Sequence, residues 1–283
     1  MWVWKKNISK TQEDTWQQRM SAMPGAVFSE GFQAERLNLD VYVETEGEAV
    51  LLQKCYGGKL EEVKTVDWVA ATAPENTPPL IIRDKIVISA SEDSEVLAAL
   101  QAKYPERILL VFPAERAFGT GNHATTSTCL RMLCDEVKNK KEPWTLTDIG
   151  CGTGVLALAG LKLGAQRAIS FDFDPVAVEV ARRNIERNGG ADNLSLFQAD
   201  VFEWKPAQNE TSDIVLANLF SAVLVKAFPQ LIAAMKPEGA ILIISGILNT
   251  QAEETLLAAQ QAGLKILKVV SRGKWTTAKL TNL

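Results

Sequence analysis

Histidine is almost absent from the 283-residue chain, which contains His123 alone. No Cys-x-x-Cys pair occurs among the four cysteines, Cys55, Cys129, Cys134 and Cys151. Because structural zinc sites combine clustered cysteine and histidine ligands, we expect no metal site. A serine–histidine–aspartate triad would require His123, and no Gly-x-Ser-x-Gly turn is present. The inventory therefore disfavours zinc-dependent and serine-hydrolase chemistry.

The chain also lacks long apolar runs and an excess of positive charge. No stretch reaches about 18 consecutive apolar residues, and the start, MWVWKKNISK, has no apolar signal core. The formal net charge is −4, so no overall positive field attracts nucleic acid or a membrane surface. We therefore expect a cytoplasmic protein with no membrane association and no direct nucleic-acid binding.

Three regions differ in pattern along the chain. Residues 1–65 contain short segments in the order strand–helix–strand–strand–helix–strand, which predicts a small α+β, ferredoxin-like domain. Residues 66–115 include the proline-rich ATAPENTPPL and the strand-like KIVISA and RILLVF, and predict a linker with connecting strands. Residues 116–283 alternate strands and helices, which predicts an α/β domain with a mostly parallel sheet. Its final segments, LKILKVVS and WTTAKLT, predict a hairpin with an antiparallel last strand.

The motif TDIGCGTG precedes an apolar helical segment and resembles a nucleotide-binding turn. Gly150, Gly152 and Gly154 alternate, and Val155 stands where the dinucleotide fingerprint has its third glycine. Turn glycines let the backbone approach a ligand closely. Asp148 would repel a diphosphate at the helix start, whereas the sulfonium and ammonium groups of S-adenosylmethionine would be attracted. We therefore predict that this turn binds S-adenosylmethionine rather than a nicotinamide dinucleotide.

Two further polar residues follow predicted strands. Asp172 lies 22 residues after Gly150, near the roughly 20-residue interval at which an acidic side chain binds a ribose diol. Asp174, followed by Pro175, is expected to cap the next helix, so Asp172 is the predicted ribose ligand. The alternative is that both aspartates only cap. Asn218 ends the next-but-one strand, where open α/β sheets bind ligands; it either accepts a hydrogen bond from an incoming amine or is a turn residue.

The stretch AFGTGNHATT combines glycines with hydroxyl side chains. Gly119 and Gly121 allow a tight loop, and Thr125 or Thr126 is expected to cap the helix that follows. The functional interpretation is a loop that closes over the cofactor and supplies hydroxyl contacts. His123 is either a general base or, more commonly for a lone loop histidine, a hydrogen-bonding residue.

Five stretches together resemble one known family: AFGTGNHATT, DIGCGTGVLALAGLKLGA, FDFDPVAVEVARRNIERNG, ANLFSAVL and ISGIL. They lie within residues 117–248 and are similar to the PrmA family, whose members methylate large-subunit ribosomal protein eleven. The first residues resemble the substrate-recognition domain of that family more loosely. The resemblance implies a class I, Rossmann-like methyltransferase. The predicted cofactor-binding residues are Thr126, Gly150, Gly152, Asp172 and Asn218.

The resemblance also implies the reaction, which is transfer of methyl groups to lysine and N-terminal amines of that ribosomal protein. Asn218 is the predicted catalytic residue, because it can align the amine with the methyl group. Three alternatives remain open. The acceptor could be a lysine of another protein, such as an electron-transfer flavoprotein subunit, or a small amine. The chain could instead be a nicotinamide-dependent dehydrogenase or a noncatalytic binding module.

Overall fold

The computed structural model describes residues 2–20, 26–30, 35–43, 45–62, 78–113, 123–138, 140, 142–207 and 210–282. The backbone forms two compact units, Met1–Ala71 and Thr72–Leu283. The strands in chain order are β1 (Trp2–Ser9), β2 (Ala26–Glu30), β3 (Arg36–Val43), β4 (Lys59–Glu62), β5 (Leu80–Ile82), β6 (Ile86–Ser89), β7 (Ile108–Val111), β8 (Trp144–Ile149), β9 (Ala165–Asp172), β10 (Leu194–Gln198), β11 (Ile214–Asn218), β12 (Ile241–Leu248), β13 (Leu264–Arg272) and β14 (Trp275–Asn282). The helices are α1 (Glu13–Arg19), α2 (Glu46–Tyr56), α3 (Ser94–Lys103), α4 (Ala124–Val137), α5 (Val155–Lys162), α6 (Pro175–Arg187), α7 (Ser221–Ala233) and α8 (Ala252–Gln261).

The smaller unit has the ferredoxin-like arrangement that the sequence predicts. Its strands lie in the order β2-β3-β1-β4, and every neighbouring pair is antiparallel. Trp4 and Ile8 of β1 are buried. The ring centroids of Trp4 and Trp16 of α1 lie 6.2 Å apart, and those of Trp16 and Tyr56 of α2 lie 5.4 Å apart. Aromatic side chains from the sheet and both helices therefore pack together in the core of this unit, beside aliphatic side chains such as Leu39 and Val41.

Residues 78–113 of the larger unit form a three-stranded sheet in the order β5-β6-β7. β5 is antiparallel to β6, and β6 is parallel to β7. Helix α3 connects the two parallel strands. KIVISA and RILLVF are therefore strands, as predicted, and SEVLAALQAKY contains the helix between them. Most of the proline-rich segment that was predicted as a linker lies outside the described residues, which omit 63–77.

The largest sheet has the order β10-β9-β8-β11-β12-β14-β13, which confirms the predicted Rossmann-like fold. Strands β8 to β12 pair in parallel, whereas β14 is antiparallel to both β12 and β13. The strand order reverses beside β8, because β9 and β10 lie on one side of it and β11 and β12 on the other. Open α/β sheets bind ligands beyond the carboxyl ends of the strands at such a switch point.

Apolar side chains are buried on both faces of this sheet, which explains the uninterrupted apolar runs. In β11, Ile214 and Leu216 belong to one buried cluster, and Val215 and Ala217 belong to another. Helices α4 and α5 contribute to the first cluster, and α7 and α8 contribute to the second. Burial on both faces is typical of parallel strands.

Strand β12 contains a bulge near its carboxyl end. Ile244 pairs with Ala278 and Ile247 pairs with Thr276, so β12 has one residue more than β14 over this interval. Ile244 and Ile247 are fully buried in the same cluster, although residues three apart in a regular strand face opposite sides. The bulge includes Gly246, whose φ is 85°.

Candidate functional site

The carboxyl ends of three strands meet at the switch point and bring the predicted site residues together. The glycine turn follows β8, Asp172 ends β9 and Asn218 ends β11. Since β8 pairs with both β9 and β11, these three ends are adjacent. Thr126 of α4 is hydrogen-bonded to Asn218, so it also lies at this edge of the sheet. The residues predicted from separate motifs therefore lie at one edge of the sheet.

The glycine turn has the backbone conformation that its residues suggest. The φ angles of Gly150, Gly152 and Gly154 are 74°, 53° and 79°, in the left-handed region that favours glycine. A Cβ atom at Gly150 would collide with Cδ2 of Leu219, and one at Gly154 would lie 3.1 Å from Cβ of Ala181. The turn therefore packs closely against both the segment after β11 and helix α6.

Asp172 links the end of β9 to the turn. Its Oδ2 accepts from the backbone N–H of Gly152 at 2.8 Å, and its Oδ1 accepts from that of Asp174 at 3.0 Å. Asp174 caps α6 as predicted, because its Oδ1 accepts from the N–H of Val176 at 2.8 Å and Pro175 begins the helix. Each Asp172 oxygen keeps a further lone pair, which a hydroxyl donor can use.

Asn218 is held at one end of its side-chain amide. Its Nδ2 donates to Oγ1 of Thr126 at 3.2 Å, and Thr126 is itself buried. Its Oδ1 is buried and has no hydrogen-bond partner among the described residues. Leaving a buried acceptor unsatisfied costs on the order of 1–3 kcal/mol. Such an atom at a ligand-binding edge indicates that a ligand supplies the missing donor.

Asp148, near the end of β8, is buried rather than exposed at the edge of the sheet. The side chain is fully buried, and its Oδ2 accepts from the N–H of Ala157, in the first turn of α5, at 3.1 Å. Burial raises the pKa of this carboxyl to about 7. Asp148 therefore stabilises the start of α5, and its attraction for a cationic cofactor stays a prediction.

The backbone donors of the turn give a different reason for excluding a diphosphate. Diphosphate sites present free N–H groups to the phosphate oxygens. Here four of these groups already donate within the protein, and the pairs are Gly150 to Phe171 O at 2.9 Å, Cys151 to Phe171 O at 3.0 Å, Gly152 to Asp172 Oδ2 at 2.8 Å and Gly154 to Cys151 O at 2.9 Å. With a carboxylate beside the turn, the site suits ribose hydroxyls and positively charged groups. It therefore fits S-adenosylmethionine, for a reason that the sequence did not reveal.

His123 is the N-cap of α4, so the expectation that Thr125 or Thr126 caps this helix is wrong. Its Nδ1 lies 2.8 Å from Oγ1 of Thr125 and accepts from the Thr125 N–H at 3.4 Å. The ring also makes an edge contact with Trp275. Burial, followed by the charge of Lys274, lowers the pKa of His123, which favours the neutral, accepting imidazole. These contacts support the hydrogen-bonding interpretation rather than the general base.

The loop that was predicted to close over the cofactor is not among the described residues. Residues 114–122, which include AFGTGN, lie outside the described residues. Its part in binding stays a prediction.

The sequence did not predict the close contact between Gly246 of β12 and Leu219, next to Asn218. A Cβ atom at Gly246 would collide with the backbone carbonyl of Leu219. Because Leu219 also packs against Gly150, the segment after β11 is held between two glycines. Glycine inside the strand ISGIL was the available signal, since it marks a bulge or a close backbone approach. The identity of the approaching segment is not visible in the sequence.

The described residues contain neither a membrane-spanning helix nor a cluster of metal ligands. No described helix is both long and apolar enough to cross a membrane. No cluster of three or more histidine, cysteine, aspartate or glutamate side chains among those residues is arranged to hold a metal ion.

Comparison with known proteins gives consistent matches. The family model "Ribosomal protein L11 methyltransferase (PrmA)" matches residues 5–282. A ribosomal protein L11 methyltransferase of Glaesserella parasuis is 36% identical over 217 residues, which are 77% of this chain and 68% of that protein. The protein of the same name in Allorhizobium ampelinum is 33% identical over 222 residues, which are 78% of this chain and 73% of that protein. The solved ribosomal protein L11 methylase of Lactobacillus delbrueckii subsp. bulgaricus, at 22% identity, shares the fold with a TM-score of 0.59 over 72% of this chain and 98% of that chain. The chain therefore belongs to the PrmA family and is a class I methyltransferase that uses S-adenosylmethionine.

Proposed function

We propose that this protein transfers methyl groups from S-adenosylmethionine to lysine and N-terminal amines of ribosomal protein L11 in the cytoplasm. The names of its relatives support the choice of substrate. The observation that carries the proposal is the buried, unpartnered Oδ1 of Asn218 at the carboxyl edge of the sheet. An amine N–H would satisfy this oxygen. The smaller unit contributes none of the proposed cofactor ligands, and we assign it to recognition of the ribosomal protein.

The residues of the proposed site act through different atoms. When bound, S-adenosylmethionine supplies a methyl group on a positively charged sulfonium. Asp172 binds the ribose hydroxyls with its remaining lone pairs, and Gly150 and Gly152 let the backbone of the turn approach the cofactor. Thr126 contributes by holding the amide of Asn218, which lies at the methyl end of the site.

The residues of the site promote methyl transfer mainly by alignment. A lysine amine, with an ordinary pKa near 10.4, must lose its proton before it attacks. A desolvated position beside a positive charge lowers that pKa, so no strong protein base is required. Asn218 Oδ1 then accepts from an N–H of the neutral amine and directs its lone pair at the methyl carbon. Fixing this geometry removes much of the entropic barrier of a two-molecule reaction.

Incubation of purified ribosomal protein L11 with labelled S-adenosylmethionine tests the proposed function. We expect label on lysine and N-terminal amines, located by mass spectrometry. Label that enters another protein or a small amine, with ribosomal protein L11 unlabelled, would contradict the substrate. Calorimetry that detects a nicotinamide dinucleotide but no S-adenosylmethionine would contradict the whole assignment.

Variants of the hydrogen-bonded pair test the alignment. Asn218→Ala and Thr126→Val should each lower kcat by about tenfold or more, because the amine is no longer directed. Thr126→Ser keeps the hydroxyl and should keep most of the activity. Calorimetry should show that the Kd for S-adenosylmethionine changes much less than kcat. Unchanged turnover in Asn218→Ala would remove its catalytic role. A loss confined to cofactor affinity in Thr126→Val would instead place that hydroxyl on the cofactor.

A further inference from the structure

A large aromatic ring is exposed next to the proposed catalytic residue. Phe220 lies two residues after Asn218, and 72% of its surface is accessible. Phenylalanine is usually buried, so an accessible ring beside a ligand-binding edge indicates contact with a ligand or partner.

The backbone that carries this ring is fixed. The preceding residue, Leu219, packs between Gly150 and Gly246. The carbonyl of Phe220 accepts from the N–H of Val223 at 2.9 Å and from that of Leu224 at 3.0 Å at the start of α7. The exposed ring is therefore attached to a rigid strand-to-helix connection, and it can present a preformed contact surface.

The side of β8 on which Phe220 lies indicates whether it is near the adenosine part of the cofactor or near the methyl group and the amine. On one side of β8, Asp172 ends β9 and the exposed Phe173 follows it; on the other side, Phe220 follows β11. If Asp172 binds the ribose, the adenosine part of the cofactor occupies the β9 side. The methyl group and the incoming amine then occupy the β11 side, beside Asn218 and Phe220.

We propose that Phe220 forms the apolar wall that receives the hydrocarbon stem of an acceptor lysine. This inference rests on the proposed function and names a specificity determinant for it. The four methylene groups of a lysine side chain gain free energy when they pack on an aromatic surface. An N-terminal α-amine has no such stem, so Phe220 favours lysine sites over α-amines.

Site-resolved kinetics of the full chain with ribosomal protein L11 test this specificity. In Phe220→Ala we expect KM for lysine methylation to rise by about tenfold, with kcat less affected. Methylation of the N-terminal α-amine should change by less than about twofold, because no stem contact is lost. Phe220→Leu keeps an apolar surface and should restore most of the lysine activity. Leu257→Ala on α8, where 53% of the leucine is exposed, is the matched control for removing an exposed apolar side chain.

Three outcomes would overturn the inference, and the third comes from a binding experiment. One is equal loss at lysine and α-amine sites. Another is a Kd for S-adenosylmethionine that weakens in Phe220→Ala as much as KM rises, since the ring would then contact the cofactor. Binding of a lysine peptide with a blocked N-terminus, in the presence of S-adenosylhomocysteine, provides a readout without turnover. About tenfold weaker binding by Phe220→Ala supports the inference, and equal binding contradicts it. An unlabelled ribosomal protein L11 with the unmodified chain would contradict only the proposed substrate.

Discussion

The carboxyl group of Asp148 has a raised pKa because the folded protein shields it from water. Its ordinary pKa is 3.8, and burial raises the folded value to about 7, while the hydrogen bond from Ala157 opposes the rise. The start of α5 therefore depends on a group whose charge changes close to physiological pH. This arrangement makes folding stability sensitive to pH at one identifiable position.

Replacing Asp148 by asparagine should remove that sensitivity. The folded protein binds the proton more tightly than the unfolded chain, so this contribution to stability is complete below pH 3.8 and is lost as the pH rises through about 7. Urea unfolding at about pH 5 and about pH 8 should show a larger decrease in the original chain than in Asp148→Asn. Equal decreases would mean that Asp148 ionises as an ordinary aspartate. Other titrating groups are common to both chains and cancel in the comparison.

The connection from β11 to α7 is shaped by the strands on both sides of it. Leu219 occupies the space that side chains at Gly150 and Gly246 would need. Three strand ends are thereby packed together, and the position of Asn218 depends on the turn after β8 and on β12. We expect substitutions in β12 to affect the site although β12 supplies no ligand.

Gly246→Ala tests this dependence, and Gly239→Ala is its matched control. Both glycines have positive φ, 85° and 67°, but a Cβ atom at Gly239 would meet nothing within 4 Å. The conformational cost of about 1–2 kcal/mol is therefore common to both. Gly246→Ala should lose a further 1–3 kcal/mol, approximately, of unfolding free energy from overpacking. It should also bind S-adenosylmethionine more weakly in calorimetry, whereas Gly239→Ala should bind normally. Equal behaviour of the two variants would show that the connection adjusts freely.

The local elements could be predicted because their signals are local. The sequence alone shows the helix cap formed by Asp174 and Pro175 and the apolar runs of the strands. Because open α/β sheets bind ligands at the carboxyl ends of their strands, Asp172 and Asn218 could then be predicted as site residues. Contacts between distant segments were not visible. The burial of Asp148, the acceptance of turn N–H groups by the Phe171 carbonyl, and the capping by His123 each depend on the packed fold. The preference for S-adenosylmethionine was right, whereas the occupied N–H groups of the turn that support it were not visible in the sequence.

In the proposed function, the smaller unit recognises the ribosomal protein and the larger unit transfers the methyl group. The two units have independent cores. Trp4 is fully buried in the smaller unit, where its Nε1 donates to the carbonyl of Gly57 at 2.6 Å. Phe228 is buried in the larger unit, in the cluster that supports β11. Damage to one core should therefore have a different functional signature from damage to the other.

Trp4→Ala and Phe228→Ala should distinguish these signatures. Each substitution removes a buried aromatic side chain, which typically costs about 3–5 kcal/mol. Trp4→Ala should raise KM for ribosomal protein L11 while calorimetry shows an unchanged Kd for S-adenosylmethionine. Phe228→Ala should weaken cofactor binding. Loss of cofactor binding in Trp4→Ala would contradict the separation of roles, and thermal unfolding checks that each variant is folded at the assay temperature.

The bulge in β12 makes the length of this strand intolerant of change. Ile244 and Ile247 face the same core only because β12 has one extra residue between them, relative to their partners on β14. Deleting a residue there would turn Ile247 out of the cluster that it shares with Ile244 and shift the glycine that accommodates Leu219. Insertions and deletions should therefore be tolerated less well at these few positions than in the surrounding loops.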